Sequence, residues 1–120
     1  MTTPAEVVAR RVAERDHRLA EARRFAEQLD PEWGVCAVVV FGSVARGDFH
    51  TSSDVDVLVI ADAAPRDALT RQRRLPAGPP GVSPMVWSPA EWHSERLRAN
   101  PVAVDAAENG VWLDGDPSVV

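Results

Sequence analysis

The sequence contains no lysine and no tyrosine, and its single cysteine is Cys36. Without lysine, the chain has neither the phosphate-binding lysine of a Walker-type loop nor a lysine for a Schiff base. One cysteine cannot form an internal disulfide bond, so a reducing cytoplasm is the expected compartment. No apolar run approaches the roughly 20 residues of a membrane span, so we expect no association with a membrane.

The chain also lacks an excess of positive charge, since its 13 arginines are outnumbered by 18 acidic residues and the net charge is −5. This balance argues against a broad electropositive surface for duplex DNA, so nucleic acid is not an expected partner. The length of 120 residues and the hydrophobic content of 45% predict one compact soluble domain spanning residues 1–120.

The pattern of apolar residues and turn signals predicts an α+β (α/β) fold, with a small mixed sheet flanked by helices. A capping box at Thr3 predicts a helix to about Leu29, with an apolar stripe that includes Val8 and Val12 and a solvated charged face. Strands are predicted at 35–41, 54–60, 82–87 and, as a short edge strand, 111–113. Further helices are predicted at 44–48, 65–75, 89–99 and 101–108, with a Pro- and Gly-rich loop at 76–80.

Two acidic residues, Asp54 and Asp56, stand at the start of the second predicted strand. Alternate residues of a strand point to the same face, so we expect both carboxylates on one side of the sheet. Neighbouring carboxylates repel each other unless a cation lies between them, and Mg²⁺ binds such groups together with phosphate oxygens. Alone, the pair is typical of a solvated strand end, but the residues that precede it favour a metal site.

The preceding strand ends at Gly42 and Ser43, where a short helical turn follows. Backbone N–H groups at such a turn bind anions, and a glycine allows a phosphate to approach the backbone closely. Ser43 adds a hydroxyl donor. Arg46, one turn later, is a further candidate for contact with a phosphate oxygen, although a solvated Arg46 fits the pattern equally well. An anion site beside a metal site predicts a metal-bound nucleoside triphosphate.

The order Gly42-Ser43, ten further residues and Asp54-Val55-Asp56 resembles the signature of the DNA polymerase β-like nucleotidyltransferases. With Ala45-Arg46-Gly47-Asp48 as well, the chain is similar to minimal nucleotidyltransferase (MNT) domains, which include antitoxin partners of HEPN toxins. The resemblance implies a nucleotidyltransferase fold, Mg²⁺, and ATP or another nucleoside triphosphate as substrate. It also implies that Asp54 and Asp56 are metal ligands and catalytic residues. The implied reaction transfers a nucleoside monophosphate, with AMP as first choice, to a hydroxyl group of a partner protein or small molecule.

The chain departs from the family pattern at a third carboxylate, which the resemblance implies on the next strand. No acidic residue occurs in 82–87, where Ser83 stands at the favoured position and Met85 at the alternative one. Serine is a poor base unless a neighbour activates it, so a weak or inactive module that neutralises a partner by contact remains open. An acid from elsewhere, such as Glu91 or Asp105, would restore the enzyme. Larger relatives carry an extra helical domain, so we expect a homodimer or a HEPN-like toxin to complete this site.

Overall fold

In a computed structural model, which describes residues 1–50, 52–77 and 80–118, four strands form one mixed sheet with helices on both faces. In chain order the elements are α1 (Pro4–Glu27), a 3-10 helix (Pro31–Trp33), β1 (Val35–Phe41), α2 (Gly42–Arg46), β2 (Val55–Ala61), α3 (Ala68–Arg74), β3 (Val82–Trp87), α4 (Pro89–Leu97), α5 (Pro101–Asn109) and β4 (Val111–Asp114). The strand order is β3-β2-β1-β4. Strand β2 is parallel to β3, and β1 is antiparallel to β2 and β4. The predicted fold class and the edge position of the last strand are confirmed.

The central strand β1 is buried on both faces, as its uninterrupted apolar sequence predicts. Val38 and Val40 pack in one cluster with helices α1 and α2. Ala37 and Val39 pack in the other with Trp92 of α4 and with α5. Helix α5 therefore covers the sheet beside the point where β1 ends and α2 begins, which is where the candidate site lies.

The burial of helix α1 differs from the prediction. Its capping box is present, with the Thr3 hydroxyl accepting a hydrogen bond from the backbone N–H of Glu6 (3.1 Å). The predicted apolar stripe is wrong in its first half, because Val8 and Val12 are 62% and 54% exposed and burial begins only at Leu19. Residues 1–13 are all exposed, although the Arg11 side chain reaches the carbonyl oxygens of Gly47 and Phe49.

Helix α3 begins three residues later than predicted. The sequence favoured Pro65 as its first residue, but Asp67 is the N-cap and Ala68 the first helical residue. The Asp67 carboxylate accepts a hydrogen bond from the backbone N–H of Thr70 (2.9 Å). In α3 this side-chain cap, which satisfies an otherwise unpaired N–H group, sets the boundary.

The starts of two other elements differ from the prediction, and both lie at the candidate site. Helix α2 begins at Gly42 rather than at residue 44, so it follows β1 without an intervening loop. Strand β2 begins at Val55, so Asp54 lies just before the strand instead of in it. The predicted loop 76–80 includes residues 78 and 79, which lie outside the described residues. In the described part of the chain, no helix is both long and apolar enough to cross a membrane.

Candidate functional site

The turn from β1 into α2 places Gly42 directly against Asp56. Phe41, the last residue of β1, pairs with Asp56 of the antiparallel neighbour β2. Gly42 has a φ of +78°, and a Cβ atom there would lie 2.4 Å from Oδ2 of Asp56. The left-handed backbone favours glycine at this position, and the missing Cβ leaves room for the Asp56 carboxylate. Ser43 follows, half-buried, as the second residue of α2.

Asp54 and Asp56 are close enough to influence each other. Val55 and Val57 belong to the cluster under α1, so the alternation along β2 directs Asp56 to the opposite face, where α5 lies. Asp56 is half-buried and Asp54 is exposed. Burial raises the pKa of Asp56, the negative charges of Asp54 and Asp105 raise it further, and Arg46 partly opposes them. The structure thus brings both predicted aspartates and Gly42 to one end of the sheet.

We expect Asp56→Asn to raise the melting temperature of the nucleotide-free protein at neutral pH. Because the folded-state pKa of Asp56 lies above its unfolded value, ionising this carboxyl group costs folding stability as the pH rises through the raised pKa. Asparagine removes this cost. The advantage should disappear below the unfolded pKa, where the aspartate is protonated in both states. Thermal melts across this pH range, with exposed Asp16→Asn as the control, measure the effect; a destabilised Asp56→Asn at neutral pH would contradict it.

The two positions considered for a third carboxylate have different neighbours on β2. Ser83 is exposed and stands beside Asp56 in the parallel register of β2 and β3. Met85 stands beside Leu58 and packs against the apolar cluster under α4 and α5. Adjacent strands lie about 4.8 Å apart, so a side chain at position 83 is a direct neighbour of the Asp56 carboxylate. An acid at position 85 would instead face apolar side chains.

Of the two acids considered from elsewhere in the chain, Asp105 lies in the site. Its Oδ2 atom accepts hydrogen bonds from the backbone N–H of Gly42 (2.7 Å) and from Nη1 of Arg46 (2.9 Å). Burial opposes its ionisation, but the hydrogen bonds from Gly42, Asn109 and Arg46 prevail and lower the pKa of Asp105. Arg46 is therefore paired rather than solvated.

Glu91 does not reach the site. It completes the capping box of α4, where it accepts a hydrogen bond from the backbone N–H of Ser88 (3.0 Å). It also forms an ion pair with Arg71 (2.9 Å). Since both contacts are made within the α3–α4 region, Glu91 has a structural role as a helix cap.

Three arginines of α1 hold the segment between the Gly-Ser turn and Asp54. Arg11 donates to the carbonyl oxygens of Gly47 and Phe49, and Arg15 to those of Val44 and Ala45. Arg18 donates to the carbonyls of His50 and Ser53 and pairs with Glu14. The prediction of a solvated face was wrong for Arg15 and Arg18, which are half-buried, whereas Arg11 is exposed. Helical spacing places all three on the side of α1 that faces the segment. Carbonyl groups at the end of α2 and in the following turn need donors, and arginine supplies them.

The donor set at this end of the sheet fits a divalent cation that is held jointly with phosphate oxygens. Within residues 1–50, 52–77 and 80–118, no group of three His, Cys, Asp or Glu residues could hold a metal ion. Mg²⁺ usually takes only one or two carboxylates and completes its shell with water and substrate phosphates. Asp54 and Asp56 can supply that pair, and a cation would relieve the repulsion that raises the pKa of Asp56.

Comparison with known proteins identifies the fold and the family. The crystal structure of a candidate nucleotidyltransferase from Sulfolobus solfataricus matches the chain with a TM-score of 0.61. The two chains are 22% identical, and the match covers 85% of this chain and 84% of the other, which shows a common fold. A comparison with curated proteins gave no match. Residues 19–99, which contain the Gly-Ser turn and strands β1 to β3, match the nucleotidyltransferase domain. The chain therefore belongs to the nucleotidyltransferase domain family.

Proposed function

We propose that the protein binds a Mg²⁺–nucleoside triphosphate and transfers its nucleoside monophosphate to a hydroxyl group of a partner protein or small molecule. ATP, and hence AMP transfer, is the first choice. The observation that carries this proposal is the contact between Gly42 and the Asp56 carboxylate, with Asp54 within electrostatic range. Members of this family generally use a divalent metal ion and a nucleoside triphosphate, and this end of the sheet has groups suited to both.

In the proposed reaction, the residues of the site bind the metal ion or the phosphates. Asp54 and Asp56 hold Mg²⁺, which neutralises charge on the triphosphate when bound. Gly42 and Ser43 donate to the β- and γ-phosphates, and Arg46 contacts a phosphate oxygen. The acceptor hydroxyl oxygen forms a bond to the α-phosphorus, the bond from that phosphorus to the bridging oxygen breaks, and pyrophosphate leaves. The hydroxyl proton must pass to a base.

The identity of that base separates the two candidate functions. Ser83 is the residue beside Asp56 where the family pattern has a carboxylate, and a hydroxyl group without an activating neighbour accepts protons poorly. Asp105 does lie in the site, but its hydrogen bonds with Gly42, Asn109 and Arg46 lower its pKa and make it a weak base. Both observations support a second candidate, a protein that binds the nucleotide but transfers it slowly or not at all. Such a protein would neutralise its partner by contact.

We expect Ser83→Asp to increase Mg²⁺-dependent release of pyrophosphate from ATP, since general-base assistance contributes about 10²–10⁴-fold. Water serves as acceptor in this assay, so no partner protein is needed. Met85→Asp is the matched control, because it introduces the same acid beside Leu58 and should destabilise the fold without increasing the rate. Rapid release by the wild type, or no gain from a folded Ser83→Asp, would contradict a missing base at position 83.

The partner is proposed to be a protein, either a HEPN-like toxin or a second copy of this chain. The exposed first turns of α1 support a protein contact, because Val7, Val8 and Val12 present apolar side chains to solvent there. Exposed apolar groups that follow one another along a helix are typical of interaction surfaces. Neutralisation of a toxin would make the protein an antitoxin.

A further inference from the structure

The Asp105 carboxylate contacts two groups that bind phosphate oxygens in the proposed function, the Gly42 N–H and the Arg46 guanidinium. Oδ2 of Asp105 lies 2.7 Å from the backbone nitrogen of Gly42 and 2.9 Å from Nη1 of Arg46. Its other oxygen, Oδ1, accepts a hydrogen bond from Nδ2 of Asn109 (3.1 Å). The Asp105 side chain is 19% exposed. The donors that would receive a phosphate are therefore occupied by an anion of the chain itself.

Building on the proposed function, we propose that Asp105 determines ligand specificity by holding the phosphate position until a metal-bound triphosphate displaces it. A carboxylate and a phosphate present similar oxygen acceptors, so they compete for the same N–H groups. A free phosphate that displaces Asp105 gains little binding free energy, because one anion replaces another at the Gly42 amide and Arg46. The occupied donors thus discriminate against metal-free anions.

The surrounding charges explain why a metal ion would reverse this preference. Asp54, Asp56 and Asp105 place three carboxylates around the site, and Arg46, which pairs with Asp105, also acts electrostatically on Asp56. A bare polyphosphate meets net repulsion. A cation bound by Asp54 and Asp56 would neutralise that pair and attract the phosphate oxygens, which can then compete with Asp105.

The released carboxylate has a second partner on its own helix. Asn109 lies one turn further along α5 and already donates to Asp105. A rotation of the Asp105 side chain would free the Gly42 N–H and keep this bond, without movement of the α5 backbone. Arg46, whose side chain is 41% exposed, can follow the incoming phosphate into the site.

Calorimetric titration of the whole chain with inorganic tripolyphosphate in EDTA, and with ATP in Mg²⁺, tests the proposal. The wild type should bind ATP only with Mg²⁺ and should bind metal-free tripolyphosphate weakly. Asp105→Asn retains an acceptor oxygen for Gly42 but loses the charge, so it should bind metal-free tripolyphosphate about tenfold more tightly or better. The control Glu108→Gln removes the same charge from an exposed position on the same helix and should behave as wild type.

Three outcomes separate a failure of this inference from a failure of the proposed function on which it rests. If Asp105→Asn binds tripolyphosphate no better than wild type while Mg²⁺–ATP binds both, the inference is wrong and the function stands. Weaker Mg²⁺–ATP binding by Asp105→Asn would also overturn it, since the carboxylate would then assist the ligand. If neither protein binds either ligand, the proposed function fails and the inference with it. Asp105→Ala, with its folding checked by thermal melting, repeats the comparison without the amide.

Discussion

Replacing Asp54 and Asp56 together by asparagine should abolish the rise in melting temperature that Mg²⁺ and ATP give to the wild type. A ligand at 100 times its dissociation constant stabilises the native state by about 2.7 kcal/mol. For a chain of this length, that corresponds to a rise of about 10 °C in the melting temperature. Both carboxylates at the Gly42 end of β2 contribute to the proposed cation site, so the double variant should lose almost all of this rise.

The double variant should remain folded, so a lost response to Mg²⁺ and ATP can be attributed to lost binding. Burial and the charge of Asp54 raise the pKa of Asp56, and the double variant removes both costs, so the nucleotide-free variant should be at least as stable as wild type. Asp16→Asn combined with Glu108→Gln removes two charges from exposed positions and should keep the full response. A wild type that shows no Mg²⁺-dependent shift at millimolar ATP would refute nucleotide binding by the isolated chain.

Gly42→Ala should also remove the response to Mg²⁺ and ATP, whereas Gly47→Ala should retain it. Both glycines have positive φ angles, +78° and +87°, so either alanine costs about 1–2 kcal/mol of backbone strain. They differ in their surroundings. A Cβ at position 42 would lie 2.4 Å from Oδ2 of Asp56, while nothing lies within 4 Å of a Cβ at position 47.

The comparison of the two alanine variants therefore separates strain from site geometry. The Asp56 carboxylate is the free end of a side chain, so it can rotate away from an alanine at position 42 with little added cost in folding energy. That rotation moves a proposed metal ligand. Melting curves with and without Mg²⁺ and ATP should show a similar loss of stability in both variants and a lost nucleotide response in Gly42→Ala alone. A full response in Gly42→Ala would show that this contact is not needed for binding.

The strands and the aspartate pair could be predicted because their signals are local. Val35–Phe41 is a short, β-branched apolar run, and burial on both faces follows from that composition. Asp54 and Asp56 lie two residues apart, whereas the antiparallel register that sets Asp56 beside Phe41 and Gly42 is known only from the structure. The start of α3 was predicted at Pro65, but the Asp67 side chain caps the helix, which begins at Ala68.

The contacts of Arg11, Arg15 and Arg18 could not be predicted in the same way. An arginine that is surrounded by acids on a helix looks solvated in the sequence, because the carbonyl groups it serves lie in another segment. Arg15 and Val44, for example, are 29 positions apart. Only the packing of α1 against α2 brings those donors to the carbonyl groups.

The sequence by itself determined the fold class, the position of the Gly42-Ser43 turn after one strand and the position of Asp56 in the next, because those features depend on periodicity and short spacing. The tertiary structure decided that Asp105, rather than Glu91, enters the site. Asp105 lies 63 positions from Gly42 and beyond the residues that match the family. Its approach depends on the packing of α5 over the sheet, where Ala103 and Ala106 share an apolar cluster with Ala37 and Val39 of β1, far away in the sequence.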